Sequence, residues 1–173
     1  SAMAKDPERN QSIRDALTST NLQGLVCFSP ANILLLTGYW PVMGLSVAIF
    51  QRNGSVTVLL TEDEMELAMA TSDAELVSYQ PATLNSLGTP DEALLVQLQA
   101  LSGRLKLGDG QIGTECQDGS QANPYPSTHL FRHTVTRLLQ EAFRGAEVAA
   151  ADELLRRLRS VKSRTEIGLM CRA

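Results

Sequence analysis

The sequence predicts an α/β fold, a mixed and mostly parallel sheet between two layers of helices, and three observations predict it. Short apolar runs rich in strand formers alternate with longer stretches of helical periodicity. One turn signal, Asn53-Gly54, joins two of those runs into a hairpin. The helical stretches open on capping residues. Strand–helix alternation favours parallel neighbours and the hairpin adds an antiparallel pair, so the sheet is mixed and its helices lie on both faces.

The chain's 173 residues are enough for one domain with a sizeable core, and 43% apolar with 20% charged residues is ordinary for a soluble globular protein. A net charge of −4 argues against a general nucleic-acid binder. No apolar run approaches the ~18 residues of a membrane span. Ser1-Ala2-Met3 reads as an expression scar, so residues 1–5 are expected to be a disordered start. Cys27, Cys116 and Cys171 are an odd set without CxxC spacing, which reads as reduced thiols in a cytoplasmic protein rather than a disulfide or zinc site.

Asp6-Pro7-Glu8 is a helix start: an N-cap acid, proline at the first position and an acid in the first turn, with Ile13, Ala16, Leu17 and Thr20 forming one face. Gly24-Leu25-Val26-Cys27-Phe28 is a buried strand, ended by Ser29-Pro30 because proline cannot donate to a ladder. About a helical turn follows over Asn32 to Leu36, Thr37-Gly38 stops it, and the ring pair Tyr39-Trp40 comes directly afterwards. Leu45 to Phe50 and Val56 to Leu60 are the hairpin strands, with Asn53-Gly54 supplying the positive φ values of the turn. Thr61-Glu62-Asp63-Glu64 reads as a capping box before a helix that buries Met65, Ala68 and Met69. The four acids from Glu62 to Glu66 fit the N-terminal turn of an exposed helix better than a metal site.

Leu76 to Tyr79 is a further short strand. Thr89-Pro90-Asp91-Glu92 caps a helix with Leu94, Leu95, Leu98 and Leu101 on its face, ended by Gly103. One or both of Leu105-Lys106-Leu107 and Ile112-Gly113-Thr114-Glu115 should be strand. Gly108, Gly110 and Gly113 spell GxGxxG, but no helix follows; Cys116 to Pro126 reads as a loop, so a dinucleotide site is not supported. Ser127 caps a helix with Phe131, Val135, Leu138, Leu139 and Ala142 on one face and Gly145 at its end. His129 and His133 fall on the opposite face without an HExxH glutamate and read as an exposed pair. Glu147-Val148 is a last edge strand or connector.

Asp152 starts a helix with Leu154, Leu155, Leu158 and Val161 inward and Arg156, Arg157, Arg159 and Lys162 outward. With Arg164, five positive charges fall within nine residues; a solvated helix face explains them better than a phosphate site. Ser163-Arg164-Thr165-Glu166 is another capping box, opening a helix with Ile167, Met170 and Cys171 on its apolar face. A helix this short is not stable alone and nothing later in the sequence covers that face, so the chain is expected to be a fragment cut just inside a following domain.

Two stretches carry a family resemblance. Ser29, Pro30, Asn32, Ile33, Leu36, Thr37, Gly38 and Tyr39 resemble the SPxNIxYLTG[FY] segment of creatinase, prolidase and aminopeptidase P N-terminal domains, with Leu35 where that family usually has Tyr. The run from Leu154 to Ile167 resembles the family's LRxIKSPxEIxxM hinge, with Arg164 where proline is usual, and Ile112 to Glu115 looks like its IGxE strand. The resemblance implies a ribonuclease H-like three-layer α/β/α domain over residues 6–162, with residues 163–173 the truncated start of a C-terminal catalytic domain.

The residues themselves offer no catalytic constellation: neither a nucleophile elbow with a usable histidine nor a convergent ligand set. The resemblance places the family's metal ligands, two Asp, a His and two Glu, in the absent domain, holding two divalent ions such as Mn, Zn or Co. To this domain it gives homodimer contacts and a wall of the cleft for a proline-containing peptide. Tyr39 is the gating candidate carried over from the motif, and Trp40 is added because a planar ring on a short loop walls a cleft at low entropic cost; both could instead be core or crevice aromatics. The leading expectation is a noncatalytic dimerisation and substrate-gating domain of a metal-dependent Xaa-Pro peptidase. The alternatives are a parent with creatinase-like C–N hydrolysis, or one that has lost its metal ligands and acts as a scaffold.

Overall fold

A computed structural model describes residues 6–42, 45–81, 90–107, 109–116 and 137–172. The helices are α1 (Pro7–Ser19), α2 (Pro30–Thr37), α3 (Met65–Thr71), α4 (Pro90–Leu105), α5 (137–142 of its residues described), α6 (Asp152–Ser160) and α7 (Arg164–Met170). The strands are β1 (Gly24–Cys27), β2 (Val47–Gln51), β3 (Val56–Thr61), β4 (Glu75–Tyr79), β5 (Gly110–Thr114) and β6 (Ala146–Ala150). Several expectations lie outside the described residues: the start at 1–5, Thr89 of a capping box, Gly108, most of the loop before Pro126, and Ser127, His129, Phe131, His133 and Val135.

The six strands form one sheet in the order β4-β3-β2-β1-β5-β6. Strand β2 runs against both β1 and β3, while β3–β4, β1–β5 and β5–β6 are parallel. The sheet is therefore mixed and mostly parallel around one hairpin.

Alternation along the strands splits the core into two layers. Leu25 and Cys27 of β1, Ala48 and Phe50 of β2, and Val58 and Leu60 of β3 meet Ile13 and Leu17 of α1, Ile33 and Leu36 of α2, Ala68 of α3, and Leu155 and Leu158 of α6. Val26, Val47, Ile49 and Leu59 point the other way, onto Leu94, Leu98 and Leu101 of α4 and Leu138, Leu139 and Ala142 of α5. Each fully buried Leu, Ile, Val or Phe contributes roughly 1.5–3 kcal/mol, so both layers are needed to offset the chain entropy.

Several local expectations are corrected. In the hairpin turn only Gly54 has positive φ (91°), not Asn53. Gly54 N–H donates to Gln51 O at 2.8 Å and Gln51 N–H to Ser55 O at 2.9 Å, a three-residue loop whose last position alone needs the left-handed region. Gly103 does not end α4, which runs on to Leu105 because Leu101 and Leu105 both pack on the α4 side of the sheet; Lys106, at φ 54°, ends it. Leu105 to Leu107 is thus helix end and turn, and only the second candidate, now β5, is strand. Met69 is exposed because the buried stripe of α3 runs through Glu64, Ala68 and Ser72, one residue to its side. Val161 is also exposed, since α6 ends at Ser160 and Val161 turns extended.

Candidate functional site

The chain from Cys27 to Val42 is fixed by polar contacts from four residues distant in the sequence, Glu115, Arg159, Ser72 and Glu64. At its start β1 lies beside β5, and Glu115, directly after β5, turns its carboxylate onto the strand end. It accepts from Phe28 N–H (3.2 Å), Ser29 N–H (3.0 Å) and Asn32 Nδ2 (2.7 Å). These are N–H groups at the N-terminal end of α2, where the helix dipole favours an anion and Ser29 itself makes no side-chain cap. Asn32 Oδ1 in turn accepts from Arg159 Nη1 at 2.5 Å. Arg159 therefore reaches inward, contrary to its expected outward face, because α6 packs against α2. Beneath this network the Cys27 thiol is fully buried; burial, and then the nearby Glu115, push it well above its ordinary value.

Helix α2 ends at Gly38, whose φ of 76° is open to glycine at no cost and whose N–H donates to Leu34 O at 2.9 Å. Thr37 Oγ1 accepts from Tyr39 N–H at 3.0 Å, and Ser72 Oγ, just past α3, donates to Thr37 O at 2.7 Å. The Tyr39 ring is then fully buried against the sheet, and its hydroxyl donates to Glu64 Oε1 at 2.5 Å. The same oxygen accepts from Val42 N–H at 2.6 Å. Burial, and then the Glu64 carboxylate, raise the Tyr39 phenol above its ordinary range.

Between those two bonds to one oxygen stand Trp40 and Pro41. Trp40 is 52% exposed and Val42 65% exposed. The structure thus separates the two gating candidates: Tyr39 lies in the core and only Trp40 presents its ring to solvent. It also overturns the Thr61–Glu64 capping box. Thr61 makes no side-chain cap bond, the turn at 62–64 is 3-10, and Glu64 is buried with its carboxylate accepting from Tyr39 and Val42. Glu64 was missed as a site residue because it was read with its exposed neighbours. The signal was present: Glu64 stands one helical turn before Ala68, which was already assigned to the buried face.

A third cluster joins the chain's two ends. Asp6 caps α1 by accepting Arg9 N–H (2.9 Å) and also accepts from Ser163 Oγ, the N-cap of α7. Arg164 N–H donates to Glu8 (3.0 Å), and the buried Arg9 donates to Glu166 and to Leu158 O (2.7 Å). The expected capping box is complete: Ser163 N–H donates to Glu166 at 2.7 Å and Glu166 N–H to Ser163 Oγ at 3.2 Å. Ile167, Met170 and Cys171 are exposed, so α7 buries no side chain and is held by these bonds.

Chemically, the exposed surface around Trp40 and Val42 is one that can contact a ligand. Tyr39 and Glu64 are buried and bonded to each other, Glu64 also accepting from Val42 N–H, and Glu115 holds the start of α2. Among the described residues no three His, Cys, Asp or Glu side chains converge as a metal site. No helix among them is long and apolar enough to cross a membrane.

Comparison with known proteins agrees with this architecture. The sequence model of the creatinase/prolidase N-terminal domain matches residues 9–161. No curated protein matches the chain in sequence. Among solved structures, the X-Pro aminopeptidase of Thermotoga maritima is similar with a TM-score of 0.63 at 15% identity, over 92% of this chain and 38% of that one. An aminopeptidase P structure from Streptococcus thermophilus is similar with a TM-score of 0.61 at 16% identity, over 88% of this chain and 96% of that one. The prolidase of Pyrococcus horikoshii gives 0.60 at 17% identity, and this chain, matched over 93% of its length, covers only 37% of it. At these identities the likeness is one of fold.

Proposed function

Because the chain belongs to the creatinase/prolidase N-terminal domain family, we propose that it is the noncatalytic N-terminal domain of a metal-dependent Xaa-Pro peptidase, where it walls the substrate cleft and contributes to a homodimer. The observation that carries the gating part is the exposed Trp40 ring on a short, doubly bonded loop. Hydrolysis of the proline-containing peptide belongs, on this reading, to a following domain whose residues hold two divalent ions. The reduced thiols of Cys27, which is buried, and Cys171, which is exposed, support a cytoplasmic setting.

An aromatic contact is worth roughly 0.5–1.5 kcal/mol beyond its area. Trp40→Ala in the complete protein should therefore raise KM for a proline-containing peptide about two- to ten-fold with kcat and the fold kept. An unchanged KM rules the gate out. Sedimentation of the complete protein tests the dimer.

A further inference from the structure

We infer that Glu64 is the positioning residue of the Trp40 loop: its single oxygen Oε1 clamps Tyr39 and Val42, and that clamp holds the Trp40 ring out in one orientation. The functional meaning of this clamp rests on the gating reading above; the clamp itself does not.

Four observations carry it. Tyr39 and Val42 are three residues apart and bond the same oxygen, at 2.5 and 2.6 Å, so the Trp40-Pro41 pair closes a small loop across one buried group. Glu64 is itself buried at 2% exposure, on the α3 stripe that continues through Ala68 to Ser72. Ser72 Oγ holds Thr37 O at the other end of the same stripe (2.7 Å), so α3 grips the segment at two points one helix length apart. Finally, Pro41 restricts Trp40 to extended geometry, leaving the ring's own χ angles as its main freedom. A surface aromatic held this way loses little entropy when it meets a ligand, which is the use of preorganisation.

A buried carboxylate whose hydrogen-bond partners lie in a surface loop is a poor device for stability alone, because apolar residues of the same volume often do as well. It does fix geometry. Glu62, Asp63 and Glu66 beside it are exposed, so the charge of this stretch is not what selects an acid at position 64.

Trp40 is the chain's single tryptophan, so its emission reports this loop directly. The experiment is steady-state anisotropy and acrylamide quenching of the wild-type chain, Glu64→Leu and Tyr39→Phe, each checked for folding by circular dichroism. Ile49→Val, a core change on the opposite face of the sheet, serves as the control for general loosening. The expected result is a two-fold or greater rise in the quenching constant and a fall in anisotropy for Glu64→Leu, which removes the accepting oxygen, with Ile49→Val unchanged. If Glu64→Leu does not fold, Tyr39→Phe, which keeps the ring and removes only the hydroxyl, decides in the same way. Unchanged quenching and anisotropy in the folded variant overturn the inference, as does an equal change in Ile49→Val. The gate fails separately: a loosened Trp40 with an unchanged KM for Trp40→Ala in the complete protein keeps the clamp and removes its proposed use.

Discussion

Ser163→Ala tests how the outgoing helix is held. The hydroxyl of Ser163 serves two bonds, accepting Glu166 N–H at 3.2 Å as the N-cap of α7 and donating to Asp6 at the start of α1. Loss of an N-cap costs typically ~1 kcal/mol. Loss of a hydroxyl bond to a partly exposed carboxylate costs about as much again. Because α7 buries no side chain, that loss of roughly 2 kcal/mol falls on the local opening of α7 rather than on the core, a factor of about 30 in its opening constant. The assay is native-state hydrogen exchange. The Ile167 and Cys171 amides, bonded to Ser163 O and Ile167 O at 3.0 Å each, should exchange about 30-fold faster, while Val26 and Ile49 in the centre of the sheet keep their rates. Ser163→Thr, which keeps the hydroxyl, should restore most of the protection. If α7 amides stay within about three-fold of the wild type, or if the sheet amides accelerate equally, the picture of α7 as a locally latched helix is wrong.

Two glycines give opposite expectations. A Cβ at Gly113 would meet Leu25, Leu22 and Ala151 side chains at 2.8–2.9 Å, so Gly113→Ala should lower stability by about 1–3 kcal/mol in urea unfolding. A Cβ at Gly103, inside α4, meets nothing within 4 Å, so Gly103→Ala should raise stability by roughly 0.5–1 kcal/mol in the same assay. Stability should also fall at alkaline pH. The Cys27 thiol and Tyr39 phenol are both raised in the folded chain, so the unfolded chain loses these protons first, from ordinary values of 9.0 and 10.0. Their contribution is intact below about pH 9 and is lost as pH rises towards the folded values, by at most roughly 1.4 kcal/mol per pH unit for each group. Urea midpoints from pH 8 to 11 check this: Cys27→Ala should flatten the first part of the fall and Tyr39→Phe the later part.

Local chemistry made much of this domain legible in its sequence. Asp6-Pro7-Glu8, Pro30 with Gly38, and Ser163 with Glu166 each satisfy free backbone groups within a few residues, so their helices could be read without knowing what they pack on. The strand runs were equally plain because the apolar side chains of β1, β2 and β3 alternate between two apolar layers, and so was the hairpin, although its turn needed only one left-handed residue rather than two. Where the local signal was ambiguous, packing decided. Gly103 looked like a helix end, yet Leu105 one turn beyond Leu101 had apolar surface to cover and the helix continued.

The site depended on contacts that no local pattern carries. Glu64 and its exposed neighbours form the same acidic run in the sequence, and what distinguishes Glu64 is a tyrosine hydroxyl 25 residues away. Arg159 stands among outward arginines, and only the packing of α6 on α2 turns it onto Asn32, 127 residues earlier. Asp6 and Ser163 each announced a cap of their own helix, but that the two caps are joined follows from the two ends of the chain meeting. The sequence by itself determined most elements and their main apolar faces, because those rest on backbone hydrogen bonding and apolar periodicity within a few residues, while its motif stretches resembled the family. Only the tertiary structure decided which polar side chains are buried and with whom, because a buried polar group is stable only beside a partner and that partner is supplied by the fold.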